Sequence, residues 1–272
     1  FDDVTDLLSA QRKAAWADVA RRIAHEIKNP LTPIQLSAER LQRKYQDEVA
    51  SDPDIFRACT DTIIRQVSDI GRMVDEFSSF ARMPQPLFYN ENIVEVCREA
   101  AFLERNRNPD LVFKIDLPDS PIMVNCDRRQ IAQALTNLLK NASESIEARL
   151  TNKSLSSGPG QISLRLINGV SDMAPQGATS GAVSIIIEDN GVGLPLDKGR
   201  LTEPYVTTRE KGTGLGLAIV RKIMEDHHGR FVMDDRPNGG ASVSMIFENA
   251  EDRGITASNG TDQNPKTQAS SS

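Results

Sequence analysis

Cysteine is scarce in this 272-residue chain. Cys59, Cys97 and Cys126 are odd in number, widely spaced and form no Cys-x-x-Cys pair, so they build neither a disulfide framework nor a zinc site and suit a reducing cytosol. No apolar run approaches the roughly 20 residues that a spanning helix needs, and no signal-peptide pattern opens the chain. The first residue is Phe1 rather than Met, which reads as the edge of something longer, so the lack of a membrane segment here carries little weight. Basic charge is also short: Lys and Arg number 32 against 38 Asp and Glu, for a net charge of -6. That balance argues against nucleic acid or an anionic membrane as the main partner. Histidine occurs only three times.

One of those three stands in an unusual concentration of chemistry, His25-Glu26-Ile27-Lys28-Asn29-Pro30-Leu31. Apolar residues recur at Ile23, Ile27, Leu31, Ile34, Ala38 and Leu41, the three-and-four spacing of an amphipathic helix. His25 lies two positions from Ile23 and from Ile27, so at about 100° per residue it points away from that stripe and toward solvent. Asn29 shares its face, and Glu26 is near enough to touch the ring. Such a ring suits a base, nucleophile or ligand, and equally a solvated surface histidine.

The surrounding pattern predicts a helix from Val4 to about Tyr45, bent at Pro30 and Pro33 because proline removes a donor and clashes with the preceding turn. Asp52 is a candidate cap and Pro53 suits a first turn. A second helix then carries Ile55, Cys59, Ile63, Val67, Ile70, Val74 and Phe77. Two helices joined by a short loop form an antiparallel hairpin with too little core to stand alone, and pairing with a second copy into a four-helix bundle is the expected remedy. Residues 1–82 are thus read as a dimerising hairpin and 83–90 as a linker opening on Met83-Pro84-Gln85-Pro86.

Residues 91–249 change character. Helix is expected at Asn92 to Asn106, Asp127 to Leu150 and Leu215 to His228. Strand is expected at Leu111 to Leu117, Ile122 to Asn125, Gln161 to Ile167, Ala182 to Glu188, Arg230 to Asp235 and Ala241 to Phe247. This is an α+β layer domain on a largely antiparallel sheet. The polar stretch 250–272 reads as a disordered tail.

Four stretches of that domain share the character of one binding site. Asn137 and Asn141 lie four apart on a helix face beside Lys140. Asp189-Asn190-Gly191-Val192-Gly193 follows a strand. Gly212-Thr213-Gly214-Leu215-Gly216 opens a helix, where free amides and the positive end of the dipole suit phosphate. Asn238-Gly239-Gly240-Ala241 alone reads as a hairpin turn. Neither a Gly-x-x-x-x-Gly-Lys-Ser/Thr loop nor the order of a dinucleotide fold is present.

In order and spacing these stretches, behind His-Glu-x-x-Asn-Pro, resemble the catalytic core of a two-component sensor histidine kinase over about residues 1–249. The wording from Trp16 to His25 and from Leu31 to Leu41 is similar to the NtrY-type nitrogen-regulation sensors. The resemblance implies a Bergerat-type α/β sandwich that binds ATP and Mg²⁺, with Asp189 accepting from the adenine amino group and Gly191 and Gly193 letting the base approach. It implies Asn141 as the Mg²⁺ ligand, with Asn137 and Lys140 nearby. It implies a lid from Leu194 to Lys211, with Thr207, Thr208, Arg209 and Lys211 near the phosphates ahead of Gly212, Thr213, Gly214, Leu215 and Gly216. Tyr205 and Val206 stand where many relatives carry two Phe, and Glu144 where some carry Lys.

On the same resemblance His25 takes the γ-phosphoryl group on Nε2, Glu26 orients the ring, and Asn29 positions water for dephosphorylating an aspartate of a response-regulator receiver domain, NtrX-like by analogy. The chain would be the cytoplasmic portion of an inner-membrane sensor. Two alternatives share the nucleotide fold. One is an ATPase like gyrase or MutL, whose general-base Glu falls at the position of Asn137 here, and the other is a dimeric ATP-binding scaffold without transfer. His227 and His228, before Gly229, read as dipole partners at a helix end.

Overall fold

A computed structural model of the chain describes residues 4–49, 51–81, 83–152, 158–169, 181–195, 198–204, 206–207 and 212–248. Helix α1 spans Val4–Tyr45 and runs through both Pro30 and Pro33 as one continuous helix, so the expected interruption is absorbed within it. Helix α2 spans Pro53–Ala81. Asp52 precedes it with φ 58°, a left-handed conformation that a short polar side chain tolerates, and its carbonyl accepts from Ile55 N and Phe56 N.

The hairpin closes on small residues. Ala24 and Ala38 of α1 and Thr60, Val67, Val74 and Ser78 of α2 are buried. Gln42 Nε2 donates to Asp61 Oδ1 at 2.6 Å, and Lys28 pairs with Asp75 further up. These two pairs fix an antiparallel register that sets His25 at the level of Ser78. The larger residues of the expected stripe do not fill this seam: Ile27, Ile34 and Leu41 are 38%, 47% and 46% exposed, and Ile63, Ile70 and Met73 of α2 are exposed beside them. Each helix therefore carries two apolar stripes a quarter-turn or so apart, one used inside the hairpin and one left facing outward.

The C-terminal domain begins earlier than its linker reading suggests. Strand β1 (Tyr89–Asn92) pairs antiparallel with β3 (Met123–Cys126), a two-stranded sheet that the sequence pattern did not announce at its first strand. Helix α3 (Ile93–Arg107) starts at Asn92, whose side chain accepts from Val94 N. Helix α4 (Arg128–Thr151) starts at Asp127, whose carboxylate accepts from Arg129 N and Gln130 N. The main sheet has the order β2-β4-β5-β7-β6, formed by β2 (Val112–Asp116), β4 (Gln161–Asn168), β5 (Val183–Asp189), β6 (Arg230–Asp235) and β7 (Ala241–Phe247). Only β2 joins in parallel, against β4. Helix α5 (Gly216–Asp226) completes the helical layer. Ile131, Leu135, Leu139 and Ile146 of α4, Ile162, Leu164 and Ile185 of the sheet, and Ile223 and Met224 of α5 are fully buried in one core. Cys97 and Cys126 belong to that core, and burial pushes both thiols up to about 12, so neither is a nucleophile at neutral pH.

The stretch before β1 is tied to the start of α4 rather than hanging free. Leu87 N donates to Asp127 Oδ2 at 3.0 Å and Gln130 Nε2 to Pro84 O at 2.8 Å. His227, at the end of α5, accepts from Asp127 N through Nε2 at 2.9 Å and meets Ile223 O through Nδ1 at 2.8 Å, which places the proton on Nδ1. Phe88 packs edge-on against the ring, with centroids 5.1 Å apart. His227 is thus the helix-end partner expected, but as a buried neutral ring and not a cation. Burial depresses its pKa against the raising effect of Ile223 O and the Asp127 and Asp226 carboxylates. Burial alone would raise Asp127, but the amides of Leu87, Gln130 and Arg129 and the Arg129 guanidinium outweigh it and hold the carboxyl below its usual range.

Both shifts have the same sign in their effect on stability. Each group binds its proton more weakly folded than unfolded, so stability is fully present above the unfolded pKa and falls as the solution is acidified. His227 acts first, from about its unperturbed 6.5 downward, and Asp127 adds below its unperturbed 3.8. Denaturant titration of His227→Gln, which keeps an acceptor and does not titrate, is expected to give a flatter stability curve below pH 6.5 than the wild type. An unchanged pH slope would remove His227 from this account.

Candidate active site

Helix α4 carries the first wall of the site. Asn137, Asn141 and Ser145 recur every four residues along one face, and Asn137 and Asn141 are half-buried while Ser145 is buried. Ser145 was not foreseen, although the same spacing that pairs the two asparagines points to it. Its hydroxyl donates to Asp189 Oδ1 at 3.3 Å and accepts from Val192 N at 3.2 Å. Asp189 ends β5 and is buried, and its Oδ1 also accepts from Gly191 N at 2.7 Å. The carboxylate at the strand end is thereby fixed by its own turn and by α4.

Gly191 is required by contact. A Cβ there would lie 2.1 Å from Ser145 Oγ and 2.5 Å from its backbone carbon. Asn190 locks the turn from the other side, accepting from Gln161 N at 2.8 Å and donating to Pro159 O at 3.0 Å. Behind the turn sits the hairpin between β6 and β7. Arg236 Nη1 donates to Asp189 O at 2.9 Å, and Gly240, with φ 90°, is so close that a Cβ would fall 2.0 Å from the same oxygen. What reads in sequence as a plain turn is the support of the Asp189 backbone. Gly240→Ala is therefore expected to displace Asp189 and to cost about 2 to 3 kcal/mol in stability, through the clash and the left-handed φ together. Denaturant unfolding checks it, and a loss below half a unit of that scale would count against the tight approach.

The second glycine loop comes to the same place from α5. Gly214 has φ 70°, Leu215 N donates to Thr213 Oγ1 at 3.3 Å, and α5 starts at Leu215 without a side-chain cap. A Cβ on Gly216 would meet Asn141 Nδ2 at 3.8 Å and Oδ1 at 3.9 Å, so this helix start lies directly against the α4 asparagine. Gly212, Thr213 and Gly216 are half-buried and Leu215 is in the core. Asn137 Nδ2 is buried and has no hydrogen-bond partner among the described residues. Gly193, with φ 82°, faces Gly240 O, and Leu194 N donates to Asp235 Oδ1 at 3.2 Å. Lys140 projects beside this face, with Nζ 3.7 Å from Glu76 Oε1 and 4.0 Å from Glu144 Oε1. Thr208, Arg209 and Lys211, expected near a phosphate, lie outside the described residues, as does Tyr205.

The fold thus brings together Asn137, Lys140, Asn141, Asp189, Gly191, Gly193 and the loop from Gly212 to Gly216. His25, Glu26 and Asn29 are elsewhere, exposed on α1 as their spacing predicts. Glu26 does not hold the His25 ring here: its Oε1 accepts from Arg22 Nε at 2.9 Å, an exposed pair one turn apart.

Residues 15–86 match the His Kinase A (phospho-acceptor) domain, and residues 126–251 match the histidine kinase-, DNA gyrase B-, and HSP90-like ATPase domain. Among solved structures, ShkA in complex with AMPPNP superposes with a TM-score of 0.58 at 21% identity, over 85% of this chain and 45% of that one. The Acinetobacter baumannii histidine kinase AdeS does so with 0.50 at 20% identity, over 82% and 96%. Both share the fold, a helical region followed by an α/β domain. A phospho-acceptor hairpin joined to an ATPase domain of this type defines the chain as a sensor histidine kinase core. Within that class it belongs with the NtrY-type kinases. It is 56% identical to the nitrogen regulation protein NtrY of Azorhizobium caulinodans over 91% of this chain and 31% of that protein, and 38% identical to a putative NtrY-like sensor histidine kinase of Rickettsia prowazekii over 89% and 38%. The chain spans about a third of the length of these relatives.

Proposed function

We propose that the chain binds ATP in the cleft between α4, the Asp189 turn and the start of α5, and moves the γ-phosphoryl group to His25 Nε2 within a homodimer. The observation that carries this reading is the convergence of Asn137, Asn141, Asp189 and Gly216 on one cleft, in a chain that presents an exposed histidine on a separate helix. Asp189 is a fixed carboxylate at a strand end, suited to accept from an adenine amino group, and Gly191 and Gly193 leave the base room. Asn137 Nδ2 is a buried donor that a phosphate or ribose oxygen would satisfy. Asn141 offers an amide oxygen to Mg²⁺, a metal that binds through one or two protein oxygens plus substrate phosphates and needs no protein cage; among the described residues no acidic or histidine cluster forms one. A bound Mg²⁺ would neutralise phosphate charge as it develops.

In the transfer, the lone pair of His25 Nε2 forms a bond to the γ-phosphorus while the bond to the β,γ-bridging oxygen breaks, its electrons leaving with ADP. The proton stays on Nδ1, where Glu26 holds it after exchanging its Arg22 partner for the ring. Asn29, exposed one turn further on, would position water against a phosphorylated receiver aspartate and so give the chain a phosphatase activity. A fast ATPase of the same fold is disfavoured because Asn137 occupies the position where a general-base carboxylate is needed.

The outward stripes of the hairpin support dimerisation: Ile27, Ile34 and Leu41 with Ile63, Ile70 and Met73 give a second copy the apolar face needed to close a four-helix bundle. No described helix is long and apolar enough to cross a membrane. We place the chain at the cytoplasmic side of a membrane sensor, acting on a receiver domain of the NtrX kind. Incubation with γ-labelled ATP and then with purified receiver domains tests the assignment. Label is expected to pass from the chain to a receiver and to be removed faster by the wild type than by Asn29→Ala. Retention of all label on the chain with every receiver would contradict the relay, and equal removal rates would contradict the role of Asn29.

A further inference from the structure

Two neighbouring carboxylates on α2 point to different partners. Asp75 pairs with Lys28 of α1, three residues past His25. Glu76 turns to the C-terminal domain: its Oε2 accepts from Thr213 Oγ1, and its Oε1 lies 3.7 Å from Lys140 Nζ. Thr213 belongs to the glycine loop at the start of α5, and Lys140 follows Asn137 and precedes Asn141 on α4. On the hairpin register, the contact is made within one helical turn of the level of His25. No motif announced Glu76, because it is remote in sequence from every residue it touches.

A carboxylate held at one oxygen by a hydroxyl and at the other by an ammonium occupies the two groups that a phosphate oxygen would claim. We propose that Glu76 is a latch that competes with the polyphosphate of ATP for Thr213 and Lys140. This rests on the nucleotide site described above and concerns how that site is regulated. While Glu76 holds the two groups, the C-terminal domain is fastened to its own hairpin and its phosphate end is partly blocked. When nucleotide arrives, the one hydroxyl proton of Thr213 cannot be given to both Glu76 and a phosphate oxygen, and the carboxylate and the polyphosphate repel each other beside Lys140, so Glu76 is displaced and the fastening loosens beside His25. The coupling is reciprocal: the factor by which Glu76 weakens nucleotide binding is the factor by which nucleotide weakens the fastening. The adenine end is not part of it, since Asp189 is fixed by Ser145, Gly191 and Arg236 without Glu76.

Calorimetric titration of the full chain with a non-hydrolysable ATP analogue and Mg²⁺, and separately with adenosine, tests the latch. Glu76→Gln keeps the shape and helix propensity of the residue, and Phe77 and Phe80 remain packed against the C-terminal core. It is expected to bind the analogue about fivefold tighter, the scale of one partly exposed charged contact, with adenosine affinity unchanged. Glu76→Ala, which also removes the acceptor for Thr213, should gain at least as much. Equal or weaker analogue binding by both variants, while the wild type binds normally, overturns the latch, as does an equal shift for adenosine. Failure of the wild type to bind the analogue at all would instead overturn the nucleotide site and the latch with it.

Discussion

His25→Gln is expected to bind the ATP analogue with wild-type affinity, to unfold at the wild-type denaturant midpoint, and to incorporate no phosphate. All three follow from where the residue stands. The ring is exposed on α1, outside the Ala24 and Ala38 seam, and no hydrogen bond of the nucleotide cleft includes it. Glutamine matches its polarity and is a better helix former, so neither the hairpin nor the C-terminal core is disturbed. It lacks a nitrogen lone pair able to take a phosphoryl group, and the loss should therefore be complete rather than partial. Residual labelling above about 1% of wild type would mean that another nucleophile is being used.

Asp189→Asn should have the complementary profile: labelling reduced in step with weakened nucleotide binding, with His25 intact. Its Oδ1 accepts from Gly191 N and Ser145 Oγ in a buried turn. An amide oxygen at the Oδ1 position can keep both bonds, but its Nδ2 then presents a donor where the second carboxylate oxygen stood, and a donor facing the adenine amino group repels it. Charge-assisted hydrogen bonds of this kind contribute about 1.5 to 3 kcal/mol each, so affinity should fall by about tenfold to a hundredfold. Titration with the analogue measures it, and a change under threefold would remove Asp189 from adenine recognition. A mixed dimer of His25→Gln and Asp189→Asn would recover labelling only if nucleotide and histidine act across subunits.

Much of this was legible in the sequence, for physical reasons that differ by region. Periodicity placed α1, α4 and the hairpin of β6 and β7 with their ends correct or nearly so, because long amphipathic segments leave a strong local imprint. It put His25 in solvent for the same reason. The apolar stripe did not show which of its members face the partner helix: Ala38, with Ala24 beside it, is buried in the hairpin, while Ile27, Ile34 and Leu41 stay exposed, since two helices approach most closely on small residues and leave the larger ones for another surface. Strand β1 was missed because Tyr89-Asn90-Glu91-Asn92 has no alternation to find; its pairing with β3 comes from the chain that follows it. The glycine motifs that were singled out come together around one cleft, but their mutual support was invisible. That Gly240 backs Asp189, that Ser145 holds it, and that Glu76 reaches Thr213 from the other domain are long-range contacts with no local signature.

If the γ-phosphoryl group of ATP comes to rest on His25, the chemistry of the product reveals it. After incubation of the wild-type chain with γ-labelled ATP, the label should be lost in acid and survive in base, as a phosphorus-nitrogen bond does. Proteolysis and mass spectrometry should place it on the peptide containing His25. A label that survives acid, or one carried by a peptide from residues 91–249, would contradict the account.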